Sequence, residues 1–352
     1  MGSATKGIPP MSMGRFLLRR ILHSVYVLLG LSIVIFVIAR LMPGDPARMA
    51  VGARAPQFVV DRIREQMHLN EPIYVQYAYW LRDAVQGDFG LSLVTQRPVI
   101  TDVKEFLPAS LELVLIAGLM AAVGGIGLGI VSARYKDTWI DNVVRLISYA
   151  GIVTPSFIFA ILFVLLFGFV LNWFPIIGRL SEQTPAPPLV TGMVSVDALI
   201  AGRVDTFVDA VSHLILPALA LAMGSIAQEA RITRSSMADN LEKDYIASER
   251  ALGIPERTVM NRFLLKPSLI PTVSILGLDI AATLGVAFLV ELIFNWPGLA
   301  RYGMTSMLHK DLNPISAVIL VLGFIFVVVN IIVDITVAYL DPRIRLRSAR
   351  SE

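Results

Sequence analysis

The chain has 352 residues, of which 55% are hydrophobic and 16% charged, with a formal net charge of +3 and a mean hydropathy of +0.70. A soluble domain carries about 25% charged and about 45–50% apolar residues. The composition therefore excludes an ordinary soluble domain and predicts a protein of the lipid bilayer.

The chain begins with a short polar segment, one apolar helix and an amphipathic region. Residues 1–20 are predicted to form a cytoplasmic N-terminal segment, and residues 21–41 the first transmembrane helix. The PGDP turn at 43–46 ends that helix, because proline cannot continue it. Residues 42–110 are predicted to form an external helical subdomain, with two amphipathic helices separated at 70–72. Three methionines are candidate starts: Met1, Met11 and Met13.

Six segments have the length and apolar composition of transmembrane helices. Each must supply about 20 mostly apolar residues, because about 30 Å of hydrocarbon is crossed at about 1.5 Å per residue. Backbone polar groups in lipid must be paired within the segment, which favours helices over strands. The fourth segment is the weakest, because Pro217, Ser225 and Gln228 interrupt it. The six are 21–41, 111–133, 144–169, 212–226, 269–294 and 315–340.

Five of these helices are predicted to form one transmembrane core at 111–340, followed by a cytoplasmic tail at 341–352. The core includes an external loop at 172–211 and a cytoplasmic loop at 229–267. This orientation follows from lysine and arginine, which concentrate in short loops on the cytoplasmic side. Both termini are then cytoplasmic. The sequence pI of about 9.2 reflects this topology and requires no nucleic-acid partner.

Polar residues inside the spans are candidates for function. An unpaired charge such as Asp279, near the middle of the fifth span, costs about 2.5–3.5 kcal/mol on insertion scales. Asp279 is therefore expected to face the bundle interior, either packing against a partner or lining a path. Asp334 and Asn330 lie nearer the predicted cytoplasmic interface, where a structural role is favoured.

Helix breakers and small residues are the other notable features of the spans. Kinks are predicted at Pro155, Pro217 and Pro271. The glycines of the second span are predicted to allow close helix packing: Gly124, Gly125, Gly127 and Gly129.

The loop at 229–267 is charged yet helix-forming. Residues 244–252 are predicted to form a short helix that Gly253 ends as a C-terminal cap, and 256–265 a second helix. We call residues 244–265 the elbow. Its small side chains, Ala247 and Ala251, would allow another protein to approach closely. The alternative is an ordinary solvated loop.

Four stretches resemble one family. They are Asp244-Tyr245-Ile246 with Arg250-Ala251-Leu252-Gly253, the opening span with its PGDP turn at 15–47, ELIFNWPGLARYG at 291–303, and VNIIVDITVAYLDPRIR at 329–343. Together they resemble permease subunits of ABC importers in the dipeptide, oligopeptide and nickel group, and are most similar to its dipeptide permeases. The resemblance runs from about residue 15 to 346.

The resemblance implies an all-α polytopic membrane protein with the six-span fold of type I ABC importers, in the bacterial inner membrane. The helix that ends at Gly253 would dock on a cytoplasmic ATPase subunit. Family members carry a Glu-Ala-Ala motif six residues before this glycine, where the present chain has Ala247-Ser248-Glu249. The implied ATPase-coupling residues are Asp244, Tyr245, Ala247, Glu249, Arg250, Ala251, Gly253, Glu256 and Arg257.

The implied partners are a second permease subunit, two cytoplasmic ATPase subunits and an extracytoplasmic binding protein. The chain lacks a G-x-x-x-x-G-K-[ST] phosphate loop, so ATP and Mg²⁺ would act on the ATPase subunits. No cofactor or metal is expected on this chain, which has no cysteine and four scattered histidines. Peptides are accordingly favoured over nickel complexes as cargo.

Two other functions are considered. An ion-coupled secondary transporter would use Asp279 and Asp334, and it would need no ATPase. An intramembrane hydrolase would need a nucleophile and a base, and no such motif is present. The sequence thus predicts a transport subunit that is not itself an enzyme.

Overall fold

The computed structural model describes residues 13–41, 45–52, 54–66 and 68–340. Regular structure in these residues is helical, apart from one isolated bridge between Leu91 and Pro98. The all-α prediction is therefore confirmed. Three predicted features lie wholly or partly outside the described residues: the N-terminal segment with its alternative starts, Pro43 and Gly44 of the PGDP turn, and the tail at 341–352.

The first helix is long and apolar, and the next three helices form a small amphipathic group beside it. The Asp45 side chain accepts a hydrogen bond from the Ala47 amide (3.1 Å) and so caps the second helix. The fourth helix packs on the first through Phe36, whose ring lies 5.3 Å from that of Tyr77. The helices are α1 (Met13–Leu41), α2 (Pro46–Val51), α3 (Gln57–Gln66) and α4 (Ile73–Val85).

The remaining helices form a bundle. The chain continues as π-helical turns after α7 and between α11 and α12. The helices are α5 (Val99–Arg134), α6 (Trp139–Val153), α7 (Ser156–Phe163, continued by Val164–Val170), α8 (Val194–Ile200), α9 (Val204–Leu241), α10 (Asp244–Ala251), α11 (Glu256–Thr258, continued by Val259–Leu264), α12 (Leu265–Val286), α13 (Phe288–Ile293), α14 (Leu299–Leu308) and α15 (Leu312–Leu340).

Five stretches are long and apolar enough to cross a membrane, within the residues that the structure describes. The second begins at Val99, so α5 extends across the predicted boundary between the subdomain and the core. The five are Leu18–Leu41, Val99–Arg134, Val204–Leu241, Glu256–Val286 and Leu312–Val337.

The third predicted span differs from the expected single kinked helix. Trp139–Val153 and Ser156–Val170 meet at a bend of 107°. The two segments have the length and apolar composition of a membrane span only in combination. Thr154 adopts extended backbone angles, because the ring of Pro155 disfavours a helical conformation for the residue before it. The position of the break was predicted, but its angle was not.

Helix α9 lies at the centre of the bundle, between α5, α6, α7 and α12. Of its most apolar 18-residue window, 56% is buried inside the protein, compared with 33% for α5. The predicted weakest span is therefore the most enclosed one. Hydropathy underrates it, because its side chains face other helices rather than lipid.

The predicted glycine packing is confirmed at three of four positions. A Cβ atom on Gly129 would meet the Ala230 carbonyl oxygen at 2.8 Å, and one on Gly125 would meet the Ile226 carbonyl oxygen at 3.0 Å. Gly124 also faces α9, whereas Gly127 faces open space. These contacts fix α5 against α9.

Candidate functional site

The elbow has the helix, glycine and helix arrangement that the sequence predicts. Helix α10 ends where Gly253 adopts φ +74°, a backbone conformation that residues with a Cβ rarely adopt. The Gly253 amide donates to the Arg250 carbonyl (3.0 Å) and the Ile254 amide to the Glu249 carbonyl (3.3 Å). This pair of bonds is a Schellman cap, which fixes the direction in which the chain leaves the helix.

One face of the elbow is fastened to the bundle. Ile246 is fully buried and belongs to an apolar cluster with Ala133 of α5, Met237 of α9, and Val259 and Leu264 of the π-helical turns. A displacement of α10 therefore acts on α9 and α12, because close-packed side chains transmit strain.

The other face of the elbow is exposed. Ala247 and Ala251 are exposed, as are two larger side chains, Tyr245 at 40% and Leu252 at 77% exposure. Exposed apolar side chains grouped with small ones suit a contact with another protein. Burial of part of the Tyr245 ring raises the pKa of its hydroxyl.

The charged residues of the elbow flank its turn. The Arg250 guanidinium donates two hydrogen bonds to the Glu256 carboxylate (2.7 and 3.1 Å), and these bonds raise the pKa of Arg250. The pair is exposed and contributes little to stability, about 0–1 kcal/mol. Together with Arg257 it lines a cavity of about 660 Å³ between the elbow and the ends of α5 and α9. Asp244 is exposed and Glu249 half-buried.

A buried carboxylate that sequence reasoning missed lies near the elbow. Asp141 is fully enclosed and accepts two hydrogen bonds from Arg234 (2.6 and 2.7 Å) and one from Ser132 (2.5 Å). It thereby joins α5, α6 and α9. In the sequence, Asp141 is recognisable only as an acidic residue in the first turn of α6, where it interacts favourably with the helix dipole. That position does not indicate that Asp141 is buried or paired with Arg234.

Asp279 lies inside the bundle, as predicted. It is half-buried, and the Gln228 side-chain amide donates to its carboxylate at 3.2 Å. Next to Gln228 is Glu229, which the sequence analysis did not select. Glu229 is fully buried, and within the described part of the chain neither of its carboxylate oxygens has a hydrogen-bond partner.

Gln228 and Asp279 belong to a line of polar side chains between α9 and α12, which we call the seam. Seen from the elbow, it begins with an amide and hydroxyls and reaches the Asp279 carboxylate near its middle. Ser225 and Thr283 line a small cavity just beyond it. The pairs are Asn240 with Ser268 (3.0 Å), Thr233 with Thr272 (3.0 Å) and Gln228 with Asp279 (3.2 Å).

Asp334 and Asn330 have partners elsewhere. Arg20 of α1 donates to the Asp334 carboxylate at 2.8 Å, which ties α1 to α15. The Asn330 side chain donates to the Phe326 carbonyl of its own helix (3.0 Å). Asp279 and Asp334 thus bind different groups on different helices, and these hydrogen bonds do not unite them in one site.

At the end of the bundle opposite the elbow, buried carboxylates bind loop residues and hold the loops against the helices. Glu112 of α5 accepts hydrogen bonds from the Ser195 amide and hydroxyl (2.7 and 2.6 Å) and from Arg179 (2.5 Å). Asp197 is also buried, but bonds from Thr191 and from neighbouring backbone amides outweigh that burial and lower the pKa of Asp197. The 172–203 segment is thereby fixed on α5.

A second group at the same end fixes the segment after α13. The Glu291 carboxylate accepts from the Ser110 hydroxyl (2.5 Å) and the Arg301 amide (2.7 Å), and the Trp296 indole donates to the Ala109 carbonyl (2.9 Å). No cluster of three or more metal-ligating side chains occurs among the described residues.

Two family profiles match the chain. One, described as "Binding-protein-dependent transport system inner membrane component", matches residues 125–346, and its N-terminal companion matches residues 13–114. The probable D,D-dipeptide transport system permease protein DdpB of Escherichia coli (strain K12) is 39% identical over 91% of this chain and 94% of its own length.

Other relatives are similar over the same extent. The dipeptide transport system permease protein DppB of Alkalihalophilus pseudofirmus is 38% identical over 94% of this chain and 99% of its own length. The glutathione transport system permease protein GsiC of Escherichia coli (strain K12) is 32% identical over 94% of this chain and 99% of its own length.

Proposed function

The chain belongs to the family of binding-protein-dependent transport system inner membrane components, and from this premise we infer that it forms half of the translocation pathway for di- or oligopeptides. It is a permease subunit of an ABC importer, which works with an ATPase and a binding protein. The peptide assignment rests on the relatives, two of which are named for dipeptides and one for glutathione, itself a tripeptide.

The assembly we propose has a second, similar permease subunit beside this one, two ATPase subunits, of which one docks at this chain's elbow, and a binding protein at the opposite end. Both termini and the elbow then lie in the cytoplasm. The distribution of lysine and arginine in the short loops supports this orientation. ATP and Mg²⁺ act on the ATPase subunits, and this chain contributes no cofactor site.

The proposed mechanism begins at the exposed face of α10. An ATPase subunit contacts Tyr245, Leu252 and the small residues between them, and its ATP-driven movement displaces the elbow. Because Ile246 is buried among residues of α5, α9 and the turns before α12, the displacement reaches the seam. Separation of α9 from α12 would open the pathway toward the cytoplasm, and their closure would seal it.

The rival, an ion-coupled secondary transporter, has no support in these observations. Arg20 pairs with Asp334 and Gln228 binds Asp279. The relatives are permease proteins named for dipeptide or glutathione transport systems.

The elbow provides the test. In proteoliposomes that contain the whole importer, we expect dipeptide uptake that requires ATP and the binding protein, and no uptake by this chain alone. Gly253→Pro removes the amide that bonds to the Arg250 carbonyl and forbids φ +74°, so it should abolish ATPase co-purification and uptake.

Gly253→Asn is the matched control, since asparagine tolerates the left-handed conformation and a Cβ there meets nothing within 4 Å. It should retain most of the uptake. Ion-driven uptake by the isolated chain would overturn the proposed function.

A further inference from the structure

The cavity between the elbow and the ends of α5 and α9 is lined by both charged and apolar side chains. Its volume of about 660 Å³ lies within the range of about 300–1,000 Å³ that is usual for small-molecule pockets. Three arginines line it: Arg134 of α5, and Arg250 and Arg257 of the elbow. The larger apolar side chains of the lining are Ile130, Met237, Leu241, Met260 and Leu265. This combination suits a ligand that has both an anionic and an apolar part.

The positive charge of the lining is only partly compensated. Glu256 also lines the cavity, and its carboxylate accepts the hydrogen bonds of Arg250. Among the residues that the structure describes, no carboxylate forms a salt bridge with Arg134 or Arg257, and both side chains are exposed. The cavity therefore has two guanidinium groups, one on α5 and one on the elbow, that an anion can complement. Guanidinium groups bind phosphate especially well, because their fork of N–H donors matches the geometry of its oxygens.

The end of α5 places this cavity near the membrane surface. Arg134 is the last residue of α5, which is long and apolar enough to cross a bilayer. Tyr135 and Trp139 follow it directly, and both side chains are exposed. Tyrosine and tryptophan at the end of a membrane span are typical of the headgroup region of the bilayer. Phospholipid headgroups therefore surround this end of the bundle.

We propose that the cavity binds an anionic phospholipid, whose phosphate contacts Arg134 and Arg257 and whose apolar part covers the leucine and methionine side chains. Basic pockets between transmembrane helices are typical sites for acidic headgroups. Because Arg134 belongs to α5 and Arg257 to the elbow, the bound lipid bridges the elbow and the bundle. The orientation given under the proposed function assigns this lipid to the cytoplasmic leaflet. The site itself does not depend on which solute is transported.

The test titrates the detergent-solubilised permease–ATPase complex with phosphatidylglycerol or with phosphatidylcholine, and measures the bound lipid by native mass spectrometry. The wild type should bind phosphatidylglycerol more tightly, because phosphatidylcholine has no net charge. Arg134→Gln and Arg257→Gln should each weaken phosphatidylglycerol binding by about fivefold, as expected for one arginine near a membrane surface. Neither substitution should change the binding of phosphatidylcholine.

Arg262→Gln is the matched control, because Arg262 is an exposed arginine close to Met260 but does not line the cavity. It should bind phosphatidylglycerol as the wild type does. Equal affinity of the wild type for the two lipids would overturn the proposal. An equal loss of phosphatidylglycerol binding in Arg262→Gln would also overturn it, because the lipid would then respond to the overall surface charge.

Two further outcomes distinguish other anions. Inorganic phosphate in excess should not displace phosphatidylglycerol, because it leaves the apolar lining uncovered; displacement would indicate a site for a soluble anion and contradict the proposal. Loss of the ATPase subunit from the Arg134→Gln complex, with lipid binding unchanged, would contradict it as well. The cavity would then receive an acidic side chain of that subunit. ATP-dependent uptake by the wild type stands or fails separately and tests the proposed function.

Discussion

Asp141 and Glu229 are both fully enclosed carboxylates on helices that pack together, yet their surroundings are opposite. Asp141 has a guanidinium, a hydroxyl and a backbone amide directed at it, whereas no donor among the residues that the structure describes binds Glu229. A satisfied buried ion pair holds three helices in one arrangement. A buried carboxylate that accepts no hydrogen bond does not join helices in this way and is costly as a charged group. Burial alone therefore does not identify an acid that holds helices together; the donors around it do.

Asp141→Asn should destabilise the chain by about 3 kcal/mol, because Arg234 would lose its charge partner while remaining mostly enclosed. The thermal unfolding midpoint of the detergent-solubilised protein should fall by several degrees. Arg234→Gln should have a similar effect. The double variant should be clearly less destabilised than the sum of the two, since the second change removes a charge that is already unpaired. Strict additivity would mean that the two residues stabilise the bundle independently.

At the scale of the helix, the sequence was sufficient to predict features that are determined by adjacent residues. The C-terminal cap at Gly253 and the separation of α3 from α4 were both predictable, since each depends on a few adjacent residues. The bend of 107° after Thr154 was not, because its size depends on how α7 packs against α9 and α13. Pro155 predicts only that the helix breaks.

The same limit explains why Glu229 was missed. Hydropathy ended the fourth span at residue 226, since the polar residues beyond it suit water better than lipid. In the structure α9 continues to Leu241, and other helices surround this part of it. No single-sequence measure shows that a polar helix is enclosed by protein.

The α5–α9 interface gives a prediction with a built-in control. Gly129→Ala should destabilise the chain by about 1–3 kcal/mol, since the added Cβ would lie 2.8 Å from a backbone oxygen that cannot move alone. Gly127→Ala, half a turn away, meets nothing within 4 Å and should be neutral or stabilising by roughly 0.5–1 kcal/mol. Thermal unfolding of the two variants in one detergent compares them directly. Equal destabilisation by the two substitutions would contradict the prediction, because only Gly129 faces a backbone oxygen of α9.

Across the whole molecule, polar groups are distributed unevenly. The end opposite the elbow is held by carboxylates with full sets of donors, around Glu112 and Glu291. The seam consists instead of single hydroxyl and amide contacts. Weak single bonds separate at lower energy than charged networks do. The seam is thus the interface best suited to open when the elbow is displaced.

The absence of cysteine from the chain makes this opening directly testable. The Thr233 and Thr272 hydroxyls lie 3.0 Å apart across the seam, so Thr233→Cys with Thr272→Cys should form a disulfide on oxidation. If α9 and α12 must separate in each cycle, the oxidised importer should lose ATP-dependent dipeptide uptake, and reduction should restore it. The two single variants cannot form this bond and should transport after oxidation. A non-reducing gel shows whether the disulfide is intact. Because an S–S bond of about 2.05 Å holds α9 and α12 together, undiminished uptake by the oxidised importer would mean that the pathway opens at another interface.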